Sequence, residues 1–531
     1  MRDGGGVRER RTLVRRACLL AASLLLCCSH ARAQDKQESP APGQATTPVQ
    51  PGSAQPLPAA APADAPEEKP KPKTFLFAGV ISQLDYQYSG GPGVARYQKL
   101  SGLGIDNGFR MTRVGIRVGG RVETRWMFHA MAILGRSGAD GQQRPANNPT
   151  VEDAWIGYEL GKRFKARIGQ FQVPYTLDAN EFYPPNADFL EPTLMTRFVT
   201  APEIRPLGIM AWGVDPYFLY SVGYLNSAGK VTLTGTGDLV ARAAVRPLGS
   251  GPNFVQIGIG GRYGARDPSN TWYDQPALQS STFQYSFWSP VYVTDLASEY
   301  HVIPSNQQRT GGLEFLGALG RVEVAAEAVL VHQERREAQR AFLDRTVRAG
   351  TLSGATYYAS VGAWLFGPPK RPASARGIPY VPPSDPPPSP LEGVTESPTS
   401  VQVVARWEQL FLNYDSIARS SDEPRGQLDI ETTRIRLNAF QAILNVFVAK
   451  HVRLSLEYST YITPGVPPKL YTDCSSRSCT GVAGNGTNQA LSPGAVQRGN
   501  ITAGTYEGDF TAPAPGAQTM TQVITRVQMG F

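Results

Sequence analysis

The stretch TQVITRVQMGF (521–531) sets the terms for reading the whole chain. In an extended backbone, Val523, Thr525, Val527, Met529 and Phe531 lie on one side, and Gln522, Ile524, Arg526, Gln528 and Gly530 on the other. A half-apolar strand of this kind is either the edge of a soluble sandwich or part of a barrel whose outside is lipid. The rest of the sequence separates the two.

Period-2 alternation recurs from Phe75 onward. Candidate strands fall at 75–88, 109–122, 124–134, 151–160, 163–175, 206–213, 217–225, 238–248 and 254–264. They continue at 312–320, 321–332, 356–366, 401–412, 430–440, 452–461 and from Gln522 to the end, sixteen in all. Most are close to the roughly 9–11 residues that a tilted strand needs to cross hydrocarbon. Long links (89–108, 135–150, 176–205, 226–237, 265–311, 333–355, 413–429 and 462–521) alternate with short ones such as Glu123, Gly161-Lys162 and Gly320-Arg321. Outer-membrane barrels combine long external loops with short periplasmic turns in this way. The charged sides of the strands oppose aliphatic ones: Arg113, Arg117 and Arg121 face away from Val114, Ile116 and Val118, and Arg453, Ser455 and Glu457 from Leu454, Leu456 and Tyr458. The pattern predicts an all-β transmembrane antiparallel barrel, apolar outside and charged inside, spanning 74–531. On this reading 521–531 is the closing strand and Phe531 serves as the signal read by the barrel assembly machinery.

The N-terminal part agrees with export. Arg8, Arg10, Arg11, Arg15 and Arg16 precede the apolar run from Ala17 to Cys28, and Ala31-Arg32-Ala33 follows, which predicts a signal peptide over 1–33 cut near Ala33. That segment carries seven arginines against Asp3 and Glu9, so the remainder keeps only +3 of the chain's formal +8, and a nucleic-acid partner is not indicated. Residues 34–73, rich in Pro, Ala and Gln, read as a periplasmic linker without stable structure. Cys474 and Cys479, in CSSRSC, are the two cysteines beyond the signal, and in an oxidising compartment they predict a local disulfide across a loop. No cofactor or metal motif is recognisable. One link breaks the parity: the Pro-rich 367–400 occupies a short-turn slot and reads as a stiff periplasmic insertion of unassigned role.

The segments NGFRMTRVGIRVGGRV (107–122), EDAWIGYELGKRFKARIGQFQVPY (152–175), RPLGIMAWG (205–213), LNVFVAKHVRLSLEY (444–458) and the closing RVQMGF together resemble the phosphate-selective porin O and P family. Gly169-Gln170-Phe171 with Val173-Pro174-Tyr175 is similar to that family's G-Q-F-x-x-P element. The resemblance runs through 75–531 and implies a sixteen-stranded homotrimeric channel whose third external loop folds inward to narrow the pore.

Strand parity places Arg113, Arg117, Arg163, Lys165, Arg167, Arg242, Arg246, Arg262, Arg434, Arg436, Arg453 and Arg526 toward the lumen, with Glu159, Glu314, Glu323, Glu327, Glu408 and Glu457. Basic residues outnumber acidic ones, which suggests a mild preference for small anionic or neutral solutes. The alternative is that these charges solvate the wall and pair across strands. The constriction-loop candidate, 176–205, is acidic: Asp178, Glu181, Asp188, Glu191 and Glu203 stand against Arg197 and Arg205. No ladder of basic residues matches there, which argues against phosphate specificity. Two other classes compete. An enzyme would need a nucleophile beside His129, His301, His332 or His451, and SEYH (298–301) matches no nucleophile motif. A surface-binding barrel without significant conductance would use the long loops 265–311 and 462–521. The glycine-dense IGIGGRYG (257–264) lies in a strand pattern, not in a phosphate-binding strand-to-helix turn.

Overall fold

The computed structural model describes residues 74–91, 107–123, 125–134, 150–181, 187–199, 205–226, 237–249, 253–266, 278–279, 286–288, 291–293, 299–339, 346–369, 376–381, 399–417, 432–449, 451–463 and 518–530. The predicted signal peptide, the linker 34–73, Glu203, Cys474, Cys479 and Phe531 lie outside them.

Because each strand pairs with the next, the chain rises and falls as one antiparallel wall. Its first half is β1 (Phe75–Gly90), β2 (Gly108–Val122), β3 (Trp126–Ile133), β4 (Thr150–Gly161), β5 (Phe164–Gln170), β6 (Leu207–Val214), β7 (Phe218–Asn226), β8 (Gly237–Val245) and β9 (Phe254–Arg266). β10 (Leu278–Gln279) and β11 (Ser286–Trp288) form a small ribbon, and β12 (Val291–Val293) pairs only with the start of the next wall strand. The wall resumes with β13 (Glu299–Leu319), β14 (Val322–Gln339), β15 (Thr346–Phe366), β16 (Ser400–Ile417), β17 (Thr432–Ala449), β18 (Val452–Thr463) and β19 (Gln518–Gly530). β19 then pairs with β1 from Ile81↔Gly530 to Gly90↔Thr521, so sixteen strands close on themselves. All sixteen predicted strands are present.

The closing strand behaves as its alternation requires. Gln522, Ile524, Arg526 and Gln528 are buried inside, and Met529 is exposed outside. The seam is held by more than its ladder. Arg526 reaches both carboxylate oxygens of Asp85 at 2.6 and 2.7 Å, and Gln83 donates to Gln528 at 2.7 Å. The outer surface is a continuous apolar belt, with Leu76, Leu84, Ile116, Ile168, Ile209, Leu239, Ile259 and Leu313 all exposed. Aromatics rim it at both ends. Trp126, Tyr158, Phe164, Phe218 and Phe366 lie toward the end with the short turns, and Tyr86, Tyr88, Phe109, Tyr224 and Tyr263 toward the end with the long loops. Apolar bands between two aromatic girdles match the interfacial preferences of rings in a bilayer.

Two departures from expectation concern the wall. β13 to β17 are each 18 to 21 residues long, so they stand well beyond the hydrocarbon and absorb much of the predicted loops 265–311 and 333–355. β17 was expected to stop at 440 but continues to Ala449, because Ile443 and Leu444 put apolar residues on both faces and hide the alternation.

Asp85 and Arg526 are almost fully buried, so Asp85→Ala leaves a guanidinium uncompensated at the closing seam, at a cost of about 3–5 kcal/mol. The expected outcome is a lower urea midpoint for unfolding of the micelle-refolded protein, with an unchanged β-rich circular dichroism spectrum.

Candidate functional site

After Gln170 the chain leaves the wall and turns into the barrel. The Gly169-Gln170-Phe171 element explains how. Gly169 has φ of +131°, and a Cβ there would lie 2.2 Å from the carbonyl oxygen of Ala154. Gln170 ties the strand end to β4 by donating to the carbonyls of Val151 and Glu152 at 3.0 and 3.1 Å. Phe171 then enters the interior beneath Arg167, whose guanidinium lies 4.4 Å from its ring centroid. Two short helices follow, α1 (Leu177–Glu181) and α2 (Leu194–Val199).

A loop inside a barrel has no ladder to satisfy its backbone, and buried N–H and C=O groups left unpaired are costly. Here the wall's charged side chains take that part. Glu327 on β14 accepts from the N–H groups of Leu177 and Asp178 at 3.0 and 3.2 Å, at the start of α1. Glu408 on β16 accepts from Leu194 N–H at 2.8 Å, at the start of α2, and Glu457 on β18 from Leu190 N–H at 2.8 Å. Arginines bind the carbonyls. Arg406 donates to Glu191 O at 3.1 Å, and Arg453 to Ala187 O and Asp188 O at 2.5 and 2.9 Å. Arg526 reaches Leu190 O at 3.5 Å. Phe189 and Leu190 at the loop tip pack on Val404, Ile443 and Ile524 of the wall. The interior is therefore not uniformly charged, as expected from alternation, but holds an apolar cluster around Phe171, Tyr175, Leu177 and Met195.

The sequence-selected basic residues divide accordingly. Arg113 pairs with Glu152 at 3.2 Å, Lys165 with Glu159 at 2.9 Å, and Arg262 with Asp238 at 2.8 Å. Arg242 makes a two-point pair with Glu314 at 2.6 and 2.8 Å, and Arg246 donates to Gln256 at 2.9 Å. Arg117 is partly buried on the inner side of β2. Two placements correct the expectation. Arg163 sits in the β4–β5 turn, largely exposed, and pairs with Asp215 of the neighbouring turn. Arg436 is on the outer side, because Leu437, Ala439 and Gln441 point inward; it donates to Leu412 O and Asn413 Oδ1 at 2.6 and 2.9 Å. The side chains of Arg434 and Arg197 lie outside the described residues, although both backbones are placed. In the loop, Asp178 accepts from Thr193 N and Oγ1 at 2.9 and 2.8 Å, Glu191 is buried, and Arg205 approaches Glu152 and Asp153 at 3.7 and 3.6 Å. His129 packs against Trp155 and Tyr380.

Alternation also signalled Arg406, which shares a face with Glu408; Arg376 carried no such signal. It belongs to 376–381, within the Pro-rich connection between β15 and β16, and this piece lies inside the barrel. Arg376 donates to Glu181 at 2.9 Å, to Asp188 at 3.0 Å and to Glu323. Burial alone would lower its pKa, but these three carboxylates outweigh that and raise it. Burial also pushes the Tyr380 phenol up to about 12.

The loop's first turn runs hard against β9. A Cβ at Gly260 would meet the Tyr175 carbonyl oxygen at 2.2 Å, so Gly260→Leu is expected to displace residues 175–178 from the wall. Hydrogen exchange followed by mass spectrometry should then show lost protection at the Leu177 and Asp178 amides.

Among curated protein sequences none matches the chain. Several solved structures are similar to the chain at low identity. OmpT of Vibrio cholerae is 7% identical with a TM-score of 0.41, covering 85% of this chain and 97% of that one. An anion-selective porin from Comamonas acidovorans is 11% identical with a TM-score of 0.40, covering 86% and 100%. The outer-membrane channel DcaP of Acinetobacter baumannii is 9% identical with a TM-score of 0.40, covering 87% and 99%. Residues 93–286, which hold the G-Q-F element and the inward loop, match the sequence model of phosphate-selective porin O and P. Over that stretch of its closed sixteen-stranded barrel, the chain is similar to the phosphate-selective porin O and P family of outer-membrane porins.

Proposed function

We propose that this porin passes small hydrophilic solutes by diffusion and mildly prefers anions. The observation that carries the preference is the balance of buried charge. Among the described residues, fifteen basic side chains are buried against eleven acidic ones, so a solute crossing the interior would pass through the field of a positive excess. The wall arginines that touch the constriction loop bind its carbonyls, and the loop itself is acidic, which supports a general anion preference over a phosphate-specific path. By the family resemblance the protein works as a homotrimer in outer-membrane lipid, assembled by the barrel assembly machinery; one solved OmpT of Vibrio cholerae is described as a trimer form.

A second reading is favoured by one observation. Interior side chains such as Gln256, Glu408 and Asn445 are as inaccessible as those of a protein core. A barrel this full could serve as a structural or surface-binding element with no significant conductance.

Planar-bilayer recording separates these readings. Stepwise currents whose reversal potential in a potassium chloride gradient has the sign of chloride selectivity are the expected result. Cation preference would remove the anion proposal, and absence of steps would favour the filled-barrel reading.

A further inference from the structure

The connection between β15 and β16 is longer than the wall needs. β13 and β14 are joined by Gly320-Arg321 alone, with Gly320 at φ of +59°, whereas residues 367–399 separate two strands that are equally direct neighbours. Residues 376–381 of this connection are held at seven places by groups from distant parts of the barrel. Arg242 of β8 donates to Gly377 O at 2.5 Å, and Arg246 donates to Arg376 O at 2.8 Å. Arg167 of β5 donates to Tyr380 O at 3.3 Å, and the Tyr380 ring lies 5.0 Å from that of His129 on β3. Gly377 N–H donates to Glu181. Tyr380 and Val381 pack on the apolar cluster that surrounds the constriction loop.

The seventh place is Arg376 itself. Its Nε bonds to Glu181 and its Nη2 to Asp188, both of the loop entering from the external side; its Nη1 bonds to Glu323 at the periplasmic end of β14. One planar guanidinium thus holds three carboxylates in a fixed fork, which an ammonium cannot reproduce. Asp188 also accepts from Gln402, and its carbonyl from Asn445 and Arg453, all near the periplasmic ends of their strands. The loop tip has therefore descended to the level where the periplasmic connection enters.

We propose that residues 376–381 form a second constriction element, inserted from the periplasmic side, and that Arg376 latches it to the constriction loop so that the narrowest part of the pathway is built from both. Arg376 is a positioning residue in this scheme. Without it, Glu181 and Asp188 of the loop and Glu323 of the wall are left as neighbouring like charges, and the insert loses its ion pairs to the loop. The inference rests on the channel reading above, and it gives the filled interior a cause.

The test uses the full-length protein, Arg376→Gln and the double variant Glu181→Gln/Asp188→Asn, each first shown to be folded by its heat-modifiable mobility. The wall ladder does not include these residues, and the loop-side variant serves if Arg376→Gln does not assemble. Two quantities are read: hydrogen exchange over 376–381 and single-channel conductance. The expected result is faster exchange and a conductance higher by about twofold or more in either variant, with no further gain when the two are combined, since both break one latch. A wild-type current that neither variant alters overturns the proposal and leaves the channel reading standing. Faster exchange with unchanged conductance also overturns it, because the insert would then not constrict. No current from any of the proteins defeats the channel reading and this proposal with it.

Discussion

A backbone N–H or C=O group facing hydrocarbon without a partner costs several kcal/mol, so a sheet in a bilayer has to close on itself. Every other feature of this protein follows from that requirement. The β1–β19 seam meets it with a ladder from Ile81 to Gly90 and with the buried pair of Arg526 and Asp85. Sixteen strands fix a bore wider than side chains alone can fill. Something else has to occupy the lumen, and the choice is between water and chain.

In this protein chain takes much of the space, and the wall chemistry changes accordingly. A loop inside a barrel lacks strand neighbours, so its amides and carbonyls need partners of another kind. Glu327, Glu408 and Glu457 supply acceptors, and Arg406, Arg453 and Arg526 supply donors. The charged inner face is then less a solvated lining than a set of side-chain substitutes for a missing ladder. Most remaining charges are paired across strands, as Arg242 with Glu314 and Arg266 with Asp238. The proposed anion preference then rests on the surplus of basic over acidic side chains among the described residues.

This explains which parts were legible in the sequence. Strands were readable because lipid outside and polar chain inside impose a strict period of two; the match extends to the closing strand, whose two faces separate as written. The rule failed where the inside is apolar. In β17, Ile443 meets Phe189 and Leu190 of the loop, so the alternation fades before the strand ends, and the charged Arg436 stands on the outer face, opposite Leu437 and Ala439, which point inward. Arg163 failed for a simpler reason: it sits one residue before the strand, where turn geometry and not parity sets direction. The inward loop is recognisable in the sequence as a loop, and its acidic residues stand there without a basic ladder. Their main cation, Arg376, comes from nearly two hundred residues away in a segment whose proline-rich composition carries no periodicity at all.

Wall and lumen are held by interactions of different kinds, and the difference matters for how the pore can change. Neighbouring strands such as β13 and β14 or β15 and β16 are joined along almost their whole length by paired backbone groups, which no single side chain controls. The two inserted segments are joined to each other chiefly through one guanidinium and two carboxylates, with Glu323 tying the same guanidinium to the wall and Gly377 N–H reinforcing the contact through Glu181. A perturbation of modest size can therefore act on the interior without touching closure. The same separation is why the long connection after β15 can exist. A barrel whose stability resides in its ladders tolerates an extra segment at the end with the short turns, and that segment is then free to take up a position defined by the charges it finds inside.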